Sequence, residues 1–372
     1  MKKLLFVFGT RPEAIKMAPL VTTFKKSPNF LVEVCITAQH REMLDQVIDF
    51  FEITADYDLD LMKPNQNLYD LTSSIISNMR SILEKSKPDF IFVHGDTTTS
   101  MAAALAGFYF GSKICHIEAG LRTFNKKSPF PEEINRQITG RISDYHFSPT
   151  NESKLNLLSE NISEKNILVT GNTVIDALFM GVDKVKNNPS DNILRLEKLI
   201  DKRQFILVTG HRRENHGLGF DNICKALSTI SEKFENHLII YPVHLNPKVK
   251  IPVTKYLGEK NNIILIDPQP YEDFIWLMSK SKLIITDSGG VQEEAPSLGK
   301  PVIVLRENTE RPEAVDAGTV ILVGTNEKMI VDVTSQLLSN NDIYEKMTKL
   351  HNPYGDGKAS KRILNFFNNN FL

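Results

Sequence analysis

The sequence lacks the features of a membrane or secreted protein. No apolar stretch approaches the ~20 residues that a membrane-spanning helix needs. The first apolar run, Leu4–Phe8, is cut short by Gly9, so it is not typical of a secretory signal peptide. The three cysteines, Cys35, Cys115 and Cys224, lie far apart in apolar contexts, so neither a disulfide framework nor a thiolate metal site is expected. We therefore expect a soluble, cytoplasmic protein.

The chain also lacks an excess of charge of one sign. Its 44 Lys and Arg residues and 45 Asp and Glu residues give a formal net charge of -1, so no overall field would hold nucleic acid or an anionic membrane. The glycine motifs GxGxxG and GxxxxGKS/T are absent as well. Neither a dinucleotide redox cofactor nor P-loop phosphoryl transfer is expected, and we predict no cofactor.

What the chain does contain is a repeated alternation of short apolar, β-branched runs with helical patterns. Its 372 residues exceed the usual size of one hydrophobic core, which predicts two domains. Such alternation is typical of parallel sheets with helices on both faces. We predict an α/β fold with two doubly wound, Rossmann-like domains. One domain is expected over residues 1–170 and is joined by a C-terminal helix within 353–372. The other is expected over 171–352, and a polar stretch at Asp183–Arg203 separates the strands of the first domain from those of the second.

The predicted strands are the short apolar runs. In the first domain they are Leu4–Phe8, Val32–Thr37, Phe90–Val93 and Lys113–Ile117. In the second domain they are Phe205–Thr209, Leu238–Val243, Ile263–Ile266, Leu283–Thr286 and Pro301–Leu305. Ligands of parallel sheets bind outside the carboxyl ends of the strands, so the loops that follow these strands are the candidate sites.

The loop after the first strand has the composition of an anion site. Gly9 lets backbone approach a ligand closely, Arg11 supplies charge, and the exposed amides of a helix N-terminus face the same place. Lys16 opposes the dipole of that helix, so it needs a compensating phosphate or carboxylate. An ordinary turn and a solvated lysine are the alternatives.

A second anion site is predicted in the other domain. The strand that ends at Thr286 runs into Ser288, Gly289 and Gly290, small residues on which a diphosphate would sit. Glu294, one turn further on, would accept hydrogen bonds from the hydroxyls of a ribose.

Acidic residues follow strands of the first domain. Asp96 and Glu118 stand where strands give way to loops, and Glu132 follows a Pro-Phe-Pro sequence. Such acids are suited to take and return a proton. The strand period places His94 with Asp96 and His116 with Glu118, so a divalent metal site is an alternative, as are helix caps and salt bridges.

In the second domain a histidine stands among arginines. His211 follows the first strand and precedes Arg212 and Arg213, so it is placed to protonate or hydrogen-bond a leaving diphosphate. A structural histidine is the alternative. His244 ends another strand of the same domain.

Six segments occur in order along the chain: Phe8–Lys16, Thr37–Arg41, His94–Thr98, Glu118–Arg122, Gly210–Asn215 and Asp287–Pro296. Together they resemble the non-hydrolysing UDP-N-acetylglucosamine 2-epimerase family. The resemblance implies a glycosyltransferase-B fold, in which two Rossmann-like domains face each other across a cleft. It places UDP mostly on the second domain, with the sugar facing the first.

The resemblance also implies roles for single residues, with no metal ligand among them. The residues that match contacts to UDP are Arg11, Gln269, Phe274, Ser288, Gly289, Gly290, Glu294 and Arg311. The residues that match the catalytic set are Lys16, Asp96, Glu118, Glu132 and His211.

The implied reaction interconverts UDP-GlcNAc and UDP-ManNAc. C2 of the sugar is barely acidic, so its proton leaves only as the bond from C1 to UDP breaks, which gives 2-acetamidoglucal and UDP. The two then recombine with the proton on the other face. Carboxylates must face the sugar ring, while His211, Lys16 and Arg11 stabilise the departing diphosphate. Which carboxylate is the base stays open.

Many bacterial members of that family use UDP-GlcNAc as an activator bound beside the active site, and a homodimer is typical of them. The residues that match the activator site are Gln39, His40, Glu132, Arg212 and His244. Asn65 and Glu42 stand where some relatives have arginine and glutamine, which weakens the match.

Other activities are compatible with the same residues. A glycosyltransferase that uses UDP-GlcNAc would share the fold and the donor contacts but would need an acceptor channel. A hydrolysing 2-epimerase would release free ManNAc and UDP. A metal hydrolase would depend on the two His–acid pairs, and a nucleotide-sugar binding module would not need Asp96 or Glu118.

Overall fold

The computed structural model describes residues 1–38, 41–61, 66–309 and 311–372, and for Glu42 the backbone alone. These residues divide into two compact units. The first consists of Met1–Phe179 and Tyr354–Leu372, and the second of Met180–Pro353. No helix within the described ranges is both long and apolar enough to cross a membrane.

Strands and helices alternate along most of the chain. The strands are β1 (Lys2–Phe8), β2 (Phe30–Ile36), β3 (Tyr57–Asp58), β4 (Phe90–His94), β5 (Lys113–Ile117), β6 (Tyr145–Ser148), β7 (Ile167–Val169), β8 (Phe205–Thr209), β9 (Leu238–Pro242), β10 (Ile263–Ile266), β11 (Leu283–Thr286), β12 (Val302–Val304) and β13 (Val320–Leu322). The helices are α1 (Arg11–Lys25), α2 (Arg41–Phe50), α3 (Leu68–Ser86), α4 (Thr98–Phe110), α5 (Glu132–Ile142), α6 (Asn151–Ser159), α7 (Thr173–Asn187), α8 (Asp191–Ile200), α9 (Leu218–Lys233), α10 (Pro247–Leu257), α11 (Tyr271–Lys280), α12 (Gly289–Glu294), α13 (Pro312–Asp316), α14 (Glu327–Ser339), α15 (Asn341–Thr348) and α16 (Ala359–Phe371).

The first unit is built on one parallel sheet. Over the described residues its seven strands lie in the order β3-β2-β1-β4-β5-β6-β7. The order reverses between β1 and β4, and ligands of such sheets bind outside the carboxyl ends of the strands at this switch point. Residues 4–8 of β1 are all buried, as expected for a central strand covered on both faces.

The second unit repeats the plan. The six strands that the structure describes here form a parallel sheet in the order β10-β9-β8-β11-β12-β13, with the switch point between β8 and β11. Its core includes Ile206, Val208, Ile239 and Ile285 from the sheet. The predicted class, α/β with two Rossmann-like doubly wound sheets, is confirmed.

The division between the units falls within α7. The sequence predicted the boundary at residue 170, whereas the first unit continues to Phe179. The reason is a buried carboxylate, because Asp176 accepts hydrogen bonds from the backbone N–H groups of Ala359 (3.1 Å) and Ser360 (2.8 Å). The beginning of α7 is thereby tied to the beginning of α16, so both belong to the first unit.

The expectation of an unpatterned polar connection at Asp183–Arg203 was wrong, because the segment contains α8. The side chain of Ser190 caps this helix by accepting a hydrogen bond from the backbone N–H of Ile193 at 3.1 Å. Ile193, Leu196 and Ile200 are buried, at helical spacing. Apolar residues recur at helical spacing between positions 193 and 200, so the sequence itself contains the signal for this helix.

The C-terminal helix α16 packs on the sheet of the first unit through an aromatic cluster. Phe367 is fully buried. Its ring centroid lies 5.4 Å from that of Phe24, 5.0 Å from that of Phe90 and 5.2 Å from that of Phe92. Because these rings belong to α1 and β4, the last helix is an integral part of the first hydrophobic core.

Replacing this ring is expected to destabilise the first unit. Phe367→Ala should lower its free energy of unfolding by about 3–5 kcal/mol, because a large buried side chain is lost and a cavity remains. Urea unfolding followed by circular dichroism measures the loss, and fluorescence of the single tryptophan, Trp276, reports the second unit. Asn365→Ala, on the exposed side of α16, is the control, with an expected change within about 0.5 kcal/mol. Equal effects of the two substitutions would contradict the role of the cluster.

Candidate active site

A buried carboxylate fixes the two loops at the first switch point. Glu13 Oε2 accepts hydrogen bonds from the backbone N–H groups of Gly9 (3.0 Å) and Thr10 (2.8 Å). Its Oε1 accepts from the hydroxyls of Thr97 (2.6 Å) and Ser100 (2.9 Å). Glu13 and Thr10 form a capping box for α1. One side chain therefore holds the loop after β1 against the loop after β4.

The close approach of the Thr37 and Thr99 side chains requires glycine at position 9. A Cβ atom there would lie 2.0 Å from the Thr37 hydroxyl oxygen and 2.7 Å from that of Thr99, so any larger residue would displace the loop. Arg11 begins α1 and is partly exposed. The predicted anion-binding role of this loop stays a prediction.

The carboxylate of Glu118 is the centre of the site in the first unit. It follows β5 with a φ of +60°, a left-handed conformation that costs about 1–3 kcal/mol for a residue other than glycine. Its Oε2 forms an ion pair with Lys16 Nζ and accepts a hydrogen bond from Asn172 Nδ2 at 2.7 Å. His94 Nε2 lies 3.7 Å from the same oxygen. Lys16 thus has a carboxylate partner. The sequence predicted that its position in α1 needs either a phosphate or a carboxylate.

The pKa values of two neighbouring carboxyl groups are shifted in opposite directions. Burial alone would raise the pKa of Glu118, but the charge of Lys16 and the neighbouring His94 hold this pKa well below its usual range. Burial raises the pKa of Asp96, the Arg136 guanidinium lowers it, and the charge of Glu118 raises it. The net result is a raised pKa. Arg136 Nη2 lies 2.6 Å from Asp96 Oδ2. Pairs of acids shifted apart in this way mark acid–base assignments in enzymes.

Helix α5 presents further polar groups to Asp96. Asn135 Nδ2 donates a hydrogen bond to the backbone carbonyl of Asp96 at 3.0 Å, and Arg136 is the next residue. Glu132 precedes them by three and four positions, so it shares their helix face. Glu133 is instead buried and accepts from the backbone N–H groups at 123 and 124, which is a structural role.

The alternative of a metal at the His–acid pairs finds no matching arrangement. His116 Nε2 donates a hydrogen bond to the Gly95 carbonyl at 2.7 Å, and burial lowers the pKa of this histidine to about 3. Glu118 is engaged by Lys16. Within the part of the chain that the structure describes, no three His, Cys, Asp or Glu side chains are grouped to hold a metal ion.

A second buried carboxylate fixes the switch point of the second unit. Asp287 is fully buried, and its Oδ2 accepts from the backbone N–H groups of His211 (2.9 Å) and Arg212 (2.8 Å) and from Asn215 Nδ2 (3.3 Å). The loops after β8 and β11 are therefore joined as Glu13 joins those of the first unit. Asp287 begins one of the six segments that carry the family resemblance, but the sequence predicted no role for it.

His211 is held beside this acid and beside a second histidine. Its Nδ1 lies 3.6 Å from Asp287 Oδ1, and its ring stacks on that of His244 with centroids 5.6 Å apart. Burial lowers the pKa of His211, the charge of Asp287 raises it, and His244 and Arg212 lower it, so the net pKa is lowered. The neutral imidazole, which can donate or accept a hydrogen bond, is favoured.

Two guanidinium groups approach the predicted diphosphate site. Ser288 precedes the first turn of α12. A Cβ atom added to Gly289 would lie 3.8 Å from Arg212 Nη2 and 3.8 Å from Arg311 Cζ, so both cations stand close to this glycine. Arg311 is anchored by an ion pair with Glu293. The second unit therefore gathers positive charge where the sequence predicted an anion.

The remaining predicted contacts to a nucleotide also lie in the second unit. A Cβ atom on Gly290 would lie 3.4 Å from Glu294 Oε1. Gln269 Oε1 accepts from Asn192 Nδ2 at 2.8 Å, and both side chains line a cavity of about 630 Å³. Phe274 is half-buried in α11. Asn192 is not among the residues predicted from the sequence, which predicts a polar connection at its position.

The predicted activator residues are placed only in part. Gln39, His40 and Asn65 lie outside the described residues, as does the side chain of Glu42. Arg212 stands beside Gly289, and His244 stacks on His211. These two members of the set therefore lie next to the predicted catalytic and anion-binding groups of the second unit.

The fold and these side chains define an α/β protein with two doubly wound sheets and a cluster of polar side chains at each switch point. A family model described as UDP-N-acetylglucosamine 2-epimerase matches residues 22–368. The chain belongs to the UDP-N-acetylglucosamine 2-epimerase family. The resemblance drawn from the sequence is confirmed at the level of this family.

Individual relatives cover nearly the whole chain. A UDP-N-acetylglucosamine 2-epimerase of Yersinia pestis is 56% identical over 370 residues, which are 99% of this chain and 98% of the relative. The crystal structure of a Neisseria meningitidis UDP-GlcNAc 2-epimerase bound to UDP-GlcNAc is 52% identical, with a TM-score of 0.87, and covers 99% of this chain and 100% of its own. A structure of a putative UDP-N-acetylglucosamine 2-epimerase from Listeria monocytogenes is 47% identical, with a TM-score of 0.94, over 100% and 97% of the two chains.

The electrostatic link between Asp287 and His211 is directly testable. Asp287→Asn removes the negative charge that stabilises the imidazolium, so the already lowered pKa of His211 should fall further. An NMR titration of the histidine ring signals measures it. His237, which precedes β9 at the opposite end of the strands, is the internal control and should not change. A His211 titration that moves upward or stays in place would contradict the link.

Proposed function

We propose that this chain interconverts UDP-GlcNAc and UDP-ManNAc without hydrolysis. UDP and the C2 proton leave to give 2-acetamidoglucal, and UDP returns to C1 while the proton is delivered to the other face of C2. Membership of the family supports the substrate, as does the related Neisseria meningitidis enzyme with UDP-GlcNAc bound. The observation that carries the mechanism is that the pKa of Asp96 is raised while the pKa of Glu118 is lowered.

The reaction needs two different acidic groups. A general base works better as its pKa rises towards the working pH, which favours Asp96 as the group that takes the proton from C2. Positive charge develops on C1 and the ring oxygen as UDP leaves, and a fixed anion stabilises it. Glu118 remains ionised because Lys16 and His94 hold its pKa low, so it suits this second role. Lys16, which the sequence assigned to the diphosphate, then acts as the counter-ion of Glu118.

The second unit supplies the groups for the leaving UDP. Arg212 and Arg311 stand beside Gly289, where the two cations would compensate the growing charge of the diphosphate. His211, with a lowered pKa, acts as a neutral hydrogen-bond donor to a phosphate oxygen. Glu294 follows one turn later, where it would accept from the ribose hydroxyls.

Proton NMR of UDP-GlcNAc in D₂O distinguishes this reaction from its rivals. Deuterium should appear at C2 of UDP-ManNAc and of recovered UDP-GlcNAc while the anomeric carbon stays bonded to UDP. Free ManNAc and UDP as the accumulating products would identify a hydrolysing epimerase instead. Release of UDP only with an acceptor, and without exchange at C2, would identify a transferase.

The same measurement tests the roles of the carboxyl groups. Asp96→Asn should slow exchange at C2 by about 10²–10⁴-fold, because the proton acceptor is lost. Asp144→Asn is the matched control, since this carboxylate accepts from the backbone N–H of Ile114 at the amino end of β5, the opposite edge of the sheet. Wild-type exchange in the Asp96 variant would overturn the assignment.

We also propose that UDP-GlcNAc activates the enzyme from a neighbouring site that includes Arg212 and His244. The stacking of His244 on His211 supports the coupling, because a ligand that moves one ring must affect the other. Reciprocal linkage then requires that binding at either site alters the other.

A time course with pure UDP-ManNAc tests activation. Conversion should begin with a lag that disappears when a small amount of UDP-GlcNAc is added, because the activator is otherwise formed only by the reaction itself. Coupled detection of UDP-GlcNAc measures the course. A linear course from the start, unchanged by added UDP-GlcNAc, would contradict the proposal.

A further inference from the structure

Asn172 occupies a position that the resemblance and the proposed mechanism leave without a role. We propose that Asn172 is a positioning residue, which orients the carboxylate of Glu118 through a hydrogen bond. The inference rests on the proposed function, in which Glu118 stabilises positive charge on the sugar ring.

Two hydrogen bonds fix the orientation of the Asn172 amide. Its Oδ1 accepts a hydrogen bond from the backbone N–H of Val174 at 3.0 Å. A backbone N–H can only donate, so the other end of the amide must be Nδ2, which donates to Glu118 Oε2 at 2.7 Å. One side chain therefore caps the start of α7 and holds the carboxylate at the end of β5.

The backbone of Asn172 is held in turn by the segment that returns to the first unit. Its N–H donates to the carbonyl of Tyr354 at 2.7 Å. Gly171 and Gly355 permit this approach, since a Cβ atom on Gly171 would lie 3.3 Å from Gly355 Cα, and Gly171 has a φ of +84°. The donor that faces Glu118 is therefore anchored at both its main chain and its side chain.

Lys16 and Asn172 make different contributions to Glu118. The ammonium group of a lysine is a point charge on a flexible stem, so it balances the charge of the carboxylate but does not fix its plane. The amide of Asn172 is short and anchored, so it does fix the orientation. Loss of Asn172 should thus leave Glu118 charged but misdirected, and errors of about 1 Å in such groups cost about 10²-fold in rate.

Asn172→Asp is the decisive variant, because it separates the two roles. Aspartate caps helices as well as asparagine, so the bond from Val174 is kept and the fold should remain intact. The donor to Glu118 is replaced by a second carboxylate. At pH 9 we expect kcat to fall about 10²-fold, with KM for UDP-GlcNAc within about threefold of wild type, because orientation rather than binding is lost.

The pH dependence supplies a signature that a structural role would not produce. In the Asn172→Asp variant two adjacent carboxylates share a proton, and one of their pKa values is raised. Below that pKa, the introduced carboxyl group would donate its proton to Glu118 in place of the amide. The ratio of variant to wild-type kcat should therefore rise by about tenfold or more between pH 9 and pH 6. Asn172→Ala, which has no donor at any pH, should be slow throughout and show no such recovery.

Asn326→Asp is the matched control. Asn326 also caps a helix, accepting from the backbone N–H of Met329 at 3.0 Å in α14, and its substitution should leave kcat and its pH profile unchanged. Thermal unfolding by circular dichroism shows that each variant is folded. Wild-type kcat in Asn172→Asp, or a loss that is the same at every pH, would overturn the positioning role. Absence of epimerisation by the wild-type protein would instead overturn the proposed function, before any variant is compared.

Discussion

The burial of one negative charge, that of Glu118, is the constraint on which the site of the first unit depends. A buried ion costs several kcal/mol unless it is paired and hydrogen-bonded. Its compensation comes from three separate places in the fold: Lys16 in α1, His94 at the end of β4, and Asn172 before α7. The left-handed backbone at Glu118 persists because these contacts over-determine its position. The charge of Glu118, which the proposed reaction uses, is therefore also the reason why the surrounding loops must be ordered.

Each sheet also has a buried carboxylate that fixes the loops at its switch point. Glu13 and Asp287 accept backbone N–H groups from the loops at their switch points, where unpaired donors would otherwise be buried. Hydrogen bonds from backbone to a charged acceptor are strong, so they fix loops that carry little regular structure. Groups that act on a reacting centre need no reorganisation when they are held in this way, and such preorganisation is a main source of catalytic power.

The sequence predicted the elements that are long or continuously apolar. The bounds of β5, β8, β10 and β11 are those expected from their apolar runs. The strands β3, β6, β7 and β13 were not predicted. Polar residues interrupt β3 and β6, whereas β7 and β13 are apolar runs of only three residues. Helix α8 was also not predicted, although Ser190 and the helical spacing of its apolar residues mark it in the sequence.

The family, the α/β class and the loops that hold the predicted site residues could all be predicted from the sequence, because the alternation of strand and helix places those loops at the carboxyl edge of each sheet. Which side chains meet could not be predicted, because it depends on the folded chain. Lys16 and Glu118 are 102 residues apart, and Asn172 and Glu118 are 54 apart. Their contact depends on strand order and on the return of the chain at Tyr354, and neither leaves a local pattern. The opposite pKa shifts of Asp96 and Glu118 were equally inaccessible, since burial and neighbouring charge exist only in the folded chain.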